Sequence, residues 1–336
     1  RTADDPRGAE PMTTASTPPG VAARLVDAAA GPSVSFELYP PRTEAGMTAL
    51  KATVERLAEA RPDFFSVTYG ASGSTQESSR EVVRWLLATT DARVVAHLTC
   101  VGAPWEYVRR VAEGFLEDGV RDLLALRGDP PRGTRDWRPH PEGLRSGSEL
   151  VARLRALGDE LGEPLSIGVA ATPSARWAAP PDLPVPDGDD LQALRAKQEA
   201  GADYAITQVF FEPSSYARYV AAARAVGVTI PVLPGVVPLA DPARLRRLQE
   251  ISGVPVPPPV LVRLDTSEGE ERAAVGLRMG LALVHEVLRA GAPGVHLYTF
   301  NQHEAVLRLL DALRLPRAAA SGRAGRAGRP GAVSAR

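Results

Sequence analysis

The chain has 336 residues, of which 44% are hydrophobic, and its formal net charge is −1. This composition is typical of a globular protein with a sizeable core. The near-neutral charge argues against nucleic acid and membrane partners, which usually select a basic excess. Cys100 is the only cysteine, which excludes an internal disulfide and fits a reducing compartment. We therefore expect a cytoplasmic protein.

Composition divides the chain into three segments. Residues 1–20 and 317–336 are rich in Ala, Gly and Pro or Arg and lack apolar periodicity, so we expect both to be disordered. Residues 21–316 are expected to form a single folded domain. No stretch approaches the roughly 20 apolar residues that a membrane-spanning helix needs, and no secretion signal is apparent.

Eight short apolar runs between these ends are candidate strands, and segments with helical periodicity separate them. The runs are 34–38, 64–68, 94–99, 122–126, 165–170, 204–211, 230–235 and 295–299. Alternating strands and helices predict a parallel sheet, and eight repeats predict a closed (β/α)8 TIM barrel. A doubly wound open sheet is the alternative. It would place a Gly-rich turn after the first strand, where this chain has Pro40 and Pro41.

Two signals mark the helices of this pattern. One is an apolar face behind a capping residue, as for Leu50, Val54 and Leu57 behind Thr43. Such a face is also predicted for Leu150, Leu154, Leu157 and Leu161. The other is a glycine that ends a helix shortly before the next strand. It occurs at Gly119, Gly201, Gly227 and Gly291.

The carboxyl ends of barrel strands carry the active site, so polar residues there are the functional candidates. Strand one ends near Glu37, whose carboxyl could serve as an acid in a partly apolar cup. The alternative is a solvated carboxylate or a partner of Arg42. His97 in strand three is either a site residue or a hydrogen-bonded core residue. None of the histidines has metal-ligand spacing, so we predict no metal site.

Three further strand ends carry candidates. Thr68 and Tyr69, followed by Gly70 and Ala71, would suit a flat heteroaromatic ring, although the same residues also suit a simple turn. In Arg127-Gly128-Asp129, the glycine allows close backbone approach and the aspartate projects a carboxylate over the barrel mouth. Gln208 offers a donor and an acceptor that match the amide edge of a pterin, or it caps the backbone.

Together these segments resemble the methylenetetrahydrofolate reductase family. The matching strings are SFELYPPRT (35–43), FSVTYGA (65–71), AHLTC (96–100), LALRGDPP (124–131), AGADYAITQVFFEPSSY (200–216), LPGVVP (233–238) and GVHLYTFNQ (294–302). Each string is weak alone, but their order and their placement at strand ends are specific.

The resemblance implies reduction of 5,10-methylenetetrahydrofolate to 5-methyltetrahydrofolate by a reduced nicotinamide. It assigns Glu37 as the general acid, Asp129 as the carboxylate beside the pterin, and Gln208 as a folate-binding residue. Most members relay the hydride through FAD. The flavin contacts correspond to Thr68, Tyr69, Ala71, His97, Arg127, Gly128, Asp129, Asp190 and Lys197. The implied partners are thus a folate and a nicotinamide, with the protein a monomer or small homo-oligomer.

The chain departs from the family pattern around the outer flavin pocket. Thr172 replaces a tyrosine, Arg176 a histidine, Ser146 an aromatic residue, and Gln302 an arginine. We therefore favour direct hydride transfer from NADH, with NADPH and the FAD relay as alternatives. Two non-redox alternatives are a pterin-binding barrel that transfers a methyl group and a non-catalytic folate-binding protein.

Overall fold

A computed structural model describes residues 20–69, 73–129, 138–173 and 189–315. The two terminal segments predicted to be disordered lie outside the described residues, apart from Gly20. So do Ala71, Arg176 and most of the two proline-rich loops after the fourth and fifth strands.

Nine parallel strands form one sheet among the described residues. They are β1 (Ser33–Leu38), β2 (Phe64–Val67), β3 (Arg93–Thr99), β4 (Asp122–Leu126), β5 (Ser166–Ala171), β6 (Tyr204–Thr207), β7 (Val232–Leu233), β8 (Gly235–Val236) and β9 (Gly294–Tyr298). The order is β7-β6-β5-β4-β3-β2-β1-β9-β8, and β7 and β8 are consecutive pieces of one barrel strand. The sheet therefore closes on itself, and the predicted TIM barrel is confirmed.

Two predicted strands differ most from the structure. The run 230–235 divides at Pro234, because proline has no N–H to donate to a ladder. Its carbonyl still accepts a hydrogen bond from the His296 amide at 2.9 Å. The run 204–211 ends at Thr207. Beyond it, Val209 and Phe210 are buried in the following loop, so their apolar character reflects packing rather than a strand.

The described residues form eleven α-helices. They are α1 (Gly20–Val26), α2 (Glu44–Glu59), α3 (Gly73–Thr89), α4 (Trp105–Glu117), α5 (Gly147–Leu161), α6 (Asp189–Glu199), α7 (Pro213–Ala225), α8 (Pro242–Ser252), α9 (Pro258–Asp265), α10 (Gly269–Arg289) and α11 (Glu304–Leu313). Within the described ranges, no helix combines the length and apolar character that crossing a membrane requires.

The helix signals read from the sequence are largely confirmed. The Thr43 hydroxyl accepts a hydrogen bond from the Gly46 amide at 3.1 Å at the start of α2. The four predicted helix-ending glycines all have positive φ. The prediction for Leu161 is wrong, since it is 45% exposed at the last position of α5. The helix ends there, so the buried face formed by Leu150, Leu154 and Leu157 does not continue.

Alternation along each strand separates the outer core from the barrel interior. On β1, Val34, Phe36 and Leu38 belong to the cluster that packs under the helices. Ser35 and Glu37 point the other way, into the barrel. The lower interior is filled by a second apolar cluster, which comprises Val21, Ala22, Leu25, Phe64, Val95, Leu124, Tyr204, Ile206 and Leu233. The polar side chains are thereby placed in the upper half, at the carboxyl ends of the strands.

Helix α1 closes the amino end of the barrel. The Val21 amide donates to Oδ1 of Asp122 at 2.7 Å, and the Ala22 amide donates to the Ser166 hydroxyl at 3.2 Å. The first amides of a helix have no partner within it, so these side chains satisfy them. Arg24 also pairs with Asp63. The helix is therefore anchored to three strand ends as well as packed into the apolar interior.

Candidate active site

Glu37 lies in the upper barrel, where the first and last strands meet. In the ladder it is paired with Ser66 of β2 and Tyr298 of β9. Its side chain is 18% exposed, and Oε2 lies 3.8 Å from Nε2 of His97 and 3.6 Å from Nε2 of His296. Two imidazoles on different strands thus converge on one carboxyl oxygen. Among the described residues, no ion pair joins Glu37 to Arg42.

His97 is buried beneath this carboxyl. Burial lowers the pKa of His97 to about 4, an effect that the Glu37 charge opposes and that His296 reinforces. The imidazole is therefore neutral at pH 7. Its Nε2 has no hydrogen-bond partner within the described parts of the chain. A residue assigned by resemblance to the flavin thus also faces the general-acid candidate.

His296 is fully buried on β9 and was not singled out from the sequence. Its Nδ1 lies 2.8 Å from the Ser35 hydroxyl and its Nε2 lies 3.3 Å from the Ser66 hydroxyl. The ring stacks on Phe64 at a centroid distance of 5.6 Å and meets Tyr298 edge-on at 5.5 Å. Packing and hydrogen bonds therefore hold the imidazole in one orientation.

Tyr298 crosses the barrel mouth from β9 to β6, where its hydroxyl donates to the Thr207 carbonyl at 3.0 Å. Burial and the nearby Glu37 charge raise the pKa of Tyr298 well above its ordinary value, so the hydroxyl remains a donor. Gly235 makes room for this crossing. A Cβ there would lie 2.3 Å from the Thr207 carbonyl oxygen and 2.6 Å from Cε2 of Tyr298.

A side-chain clamp fixes the chain that follows Glu37. Asn301 accepts from the Tyr39 amide at 3.1 Å and donates to the Tyr39 carbonyl at 2.8 Å. Thr299 donates its hydroxyl to the Glu37 carbonyl at 2.7 Å. Phe300 and Asn301 have positive φ values of 50° and 54°, uncommon for residues with a side chain. The loop after β9 thus extends the pairing of β9 with β1 beyond the strands.

Other candidates also lie at carboxyl ends of strands. Asp129 is exposed after β4, next to Gly128, whose φ of 83° is a left-handed conformation. Gln208 follows β6, and its Oε1 accepts a hydrogen bond from the adjacent Val209 amide at 2.9 Å. Its Nε2 makes no hydrogen bond to any described residue, so the side-chain amide still has donors to offer.

The residues that the resemblance assigns to the flavin differ in their exposure and in their contacts. The Thr68 amide donates to the Leu38 carbonyl at 2.9 Å. Tyr69 packs edge-on against Phe115 at 6.2 Å, and burial raises its pKa. Exposed Arg127 bonds the adjacent Gly128 carbonyl at 3.2 Å. No group of three His, Cys, Asp or Glu side chains within the described residues has an arrangement that could hold a metal ion.

Comparison with known proteins supplies the family. The sequence profile of methylenetetrahydrofolate reductase matches residues 23–314. The chain belongs to the methylenetetrahydrofolate reductase family. This confirms the resemblance drawn from the strand-end strings.

The relatives in this family include bacterial and plant proteins. The 5,10-methylenetetrahydrofolate reductase of Pectobacterium carotovorum is 32% identical over 81% of this chain and 87% of its own length. That of Escherichia coli K12 is 31% identical over the same two shares. The probable methylenetetrahydrofolate reductase (NADH) of Oryza sativa is 31% identical over 84% of this chain. The chain spans about half the length of such plant relatives, 48% for the rice protein.

A solved structure agrees on the fold. An uncharacterised protein from Clostridium thermocellum, described as binding two copies of 5-methyl-5,6,7,8-tetrahydrofolic acid, superposes with a TM-score of 0.56. It is 13% identical, and the match covers 84% of this chain and 94% of that one. At this identity the likeness supports the barrel architecture alone.

Strand alternation was the signal that could have found the residues missed from the sequence. His296 and Tyr298 are two apart on β9, so they share the inward face. Ser35 and Glu37 have the same spacing on β1. The alternation identifies the face, but the sequence does not show that these faces meet around one carboxyl.

Proposed function

We propose that the protein reduces 5,10-methylenetetrahydrofolate to 5-methyltetrahydrofolate with a hydride from NADH. The carrying observation is the Glu37 carboxyl, which is mostly buried at the catalytic end of the barrel with two imidazoles converging on it. Family membership supports the substrate class.

The chemistry requires an acid. Protonation of one nitrogen of the folate's five-membered ring breaks its bond to the bridging carbon and leaves an iminium cation at the other nitrogen. That carbon then accepts a hydride from the reduced nicotinamide and becomes the methyl group. In this scheme Glu37 donates the proton, Asp129 stabilises the cation through its carboxylate, and Gln208 binds the pterin.

The surroundings of Glu37 suit proton donation. The imidazoles of His97 and His296 lie within 4 Å of its Oε2. His97 is neutral at pH 7 because burial lowers its pKa. No arginine or lysine within the described residues forms an ion pair with Glu37. The side chain also retains 18% exposure, so substrate can reach it from the barrel mouth.

We further propose that the hydride passes directly, without tightly bound FAD. The described polar groups of the outer pocket are already bonded within the protein. The Lys197 ammonium donates to the Ala170 carbonyl at 2.8 Å, and burial lowers its pKa although Asp190 opposes the shift. The Ser146 hydroxyl caps α5 by accepting from the Glu149 amide at 3.1 Å. These residues therefore fit FAD poorly.

The replacement at Gln302 supports the same proposal. Its side-chain oxygen accepts a hydrogen bond from Arg244 of α8. The two residues border an open cleft between the loops after β8 and β9. The residue at the position of the family arginine is thus hydrogen-bonded within the protein itself.

The test is an anaerobic visible spectrum of the purified protein followed by assay. We expect no stoichiometric flavin absorbance, together with NADH oxidation that depends on methylenetetrahydrofolate. Stoichiometric flavin, or activity that appears only on adding FAD, would overturn the direct route. Absence of folate-dependent NADH oxidation both with and without added FAD would overturn the reductase assignment.

A further inference from the structure

We propose that His296 is a positioning residue for Glu37, with its Nε2 accepting a hydrogen bond from the protonated Glu37 carboxyl and so fixing the orientation of that carboxyl. The inference rests on the proposed function, because it assigns a partner to the general acid of that reaction. It starts from the contacts of His296 on both sides of the ring.

We assign the single Ser35 hydroxyl hydrogen to the Val295 carbonyl, and this assignment sets the imidazole tautomer, because the contact between Ser35 and Nδ1 of His296 serves either direction. The hydroxyl donates to the Val295 carbonyl at 3.3 Å and lies 2.8 Å from Nδ1 of His296. A serine hydroxyl has one hydrogen, so a hydroxyl that donates to the carbonyl must accept from Nδ1. The proton of a neutral imidazole is then on Nδ1, and Nε2 carries a lone pair.

That lone pair faces two groups able to donate. Nε2 lies 3.6 Å from Oε2 of Glu37 and 3.3 Å from the Ser66 hydroxyl. Protonated Glu37 can donate to it through Oε2, and catalytic hydrogen bonds that are long in an unliganded site tighten around substrate. After Glu37 gives its proton to the folate, the Ser66 hydroxyl can satisfy Nε2. The imidazole is thus left with a partner before and after transfer.

The packing of His296 favours positioning over proton relay. The ring is fully buried, stacked on Phe64 and bordered by Tyr298. The other titratable groups facing the carboxyl are His97 from β3, neutral at pH 7, and Tyr298 from β9, a protonated phenol. Ser35, which is hydrogen-bonded to Nδ1 of His296, is also fully buried. A proton could therefore not reach solvent through His296 and Ser35. The proton supply to Glu37 must come from its own exposed edge.

The test compares His296→Phe with His296→Gln, and exposed His285→Gln on α10 serves as the control. We expect His296→Phe to lower kcat at least tenfold with KM for the folate within about twofold. The alkaline limb of its kcat profile should move about one pH unit lower, a tenfold change in proton affinity. His296→Gln places an amide near the position of Nε2 and should return the alkaline limb to the pH of the original protein. A His296→Phe enzyme with unchanged kcat and limb would overturn the proposal.

A second readout does not require activity. Protonated Glu37 gives an infrared carbonyl stretch, which is assigned as the band that is lost in Glu37→Gln. The intensity of this band is then measured as a function of pH. In His296→Phe this band should vanish at lower pH than in the original protein, and an unchanged midpoint would overturn the proposal. If His296→Phe does not fold, Ser35→Ala replaces it, with the same outcomes. An inactive original protein defeats the proposed function, whereas the infrared result bears on His296 alone.

Discussion

Nε2 of His296 lies 3.6 Å from Oε2 of Glu37, although the two residues belong to the last and first strands of the barrel. The contact exists because β9 pairs in parallel with β1, which sets Tyr298 opposite Glu37. Closing the barrel therefore builds the proposed acid site, so the stability of the closed sheet and the proposed chemistry depend on the same pairing.

Replacing Glu37 by Gln should abolish proton donation while preserving the shape of the side chain. General acid catalysis typically contributes about 10²–10⁴-fold, so kcat should fall by that order. The measurement is NADH oxidation that depends on methylenetetrahydrofolate, with the melting temperature as a check on folding.

Glu44→Gln is the matched control for this prediction, because Glu44 is exposed in the first turn of α2. It should retain full activity. A fully active Glu37→Gln protein would refute the acid role and favour a pterin-binding barrel without redox chemistry.

The neutral state of His97 should make stability depend on pH. Its pKa falls from 6.5 to about 4 on folding, so the folded state binds fewer protons between these values. The free energy of unfolding should therefore increase as pH rises through this window, and the contribution is lost as pH falls towards 4. It amounts to about 3 kcal/mol at most.

Urea unfolding of the original protein and of His97→Phe between pH 4 and 7 measures this contribution. The difference between the two curves should vary with pH in the stated direction. Exposed His285→Gln should leave the original pH dependence intact. A His97→Phe curve parallel to the original would show that His97 has no such role.

Gly235 should not tolerate a side chain. A Cβ would meet the Thr207 carbonyl oxygen at 2.3 Å and the Tyr298 ring at 2.6 Å. We expect Gly235→Ala to destabilise the fold by about 1–3 kcal/mol, as overpacking does, and to lower kcat by displacing Tyr298. Thermal unfolding and kinetic assay provide the measurement.

Gly280→Ala is the comparison for Gly235→Ala. An added Cβ at Gly280 would meet the Leu309 side chain at 3.5 Å, an ordinary contact, within helix α10. Alanine favours the helix over glycine by up to about 1 kcal/mol, so stability should hold or rise. Equal effects of the two substitutions would contradict the close packing at Gly235.

Asp122 should anchor α1 to the amino end of the barrel. It is buried and accepts from the Val21 amide at 2.7 Å. Asp122→Ala removes this acceptor and should cost about 1.5–3 kcal/mol in urea unfolding, the range for hydrogen bonds to charged groups. Asp122→Asn keeps an acceptor oxygen and should cost less. Exposed Asp91→Ala should cost little, and an equal loss for Asp91 and Asp122 would contradict the anchoring role.

The architecture could be predicted from the sequence because its signals are local. The Thr43 cap, the apolar runs and the helix-ending glycines each act over a few residues, and their repetition specifies the barrel. The errors in the predicted strand boundaries arose where tertiary packing, not the local sequence, determines the structure. Val209 and Phe210 read as strand residues because they are apolar, but the structure buries them in a loop. Pro234 broke a run whose pattern alone was continuous.

The site was predictable only in part. Glu37 stood out as a charged residue at a strand end, where the barrel rule places function. His296 was not singled out from the sequence, and its proposed role depends on Ser35, Ser66 and Glu37, which approach it only through barrel closure. A sequence pattern can assign each residue to a face, but the distance between faces comes from the fold.

The most direct test of the account follows the hydride itself. NADH deuterated at the transferred position of the nicotinamide is supplied with methylenetetrahydrofolate in ordinary water, and the methyl group of the product is examined by mass spectrometry. Direct transfer predicts a single deuterium in each methyl group. A reduced flavin exchanges its N5 hydrogen with water, so an unlabelled methyl group would contradict direct transfer, and failure to form 5-methyltetrahydrofolate would contradict the reductase assignment.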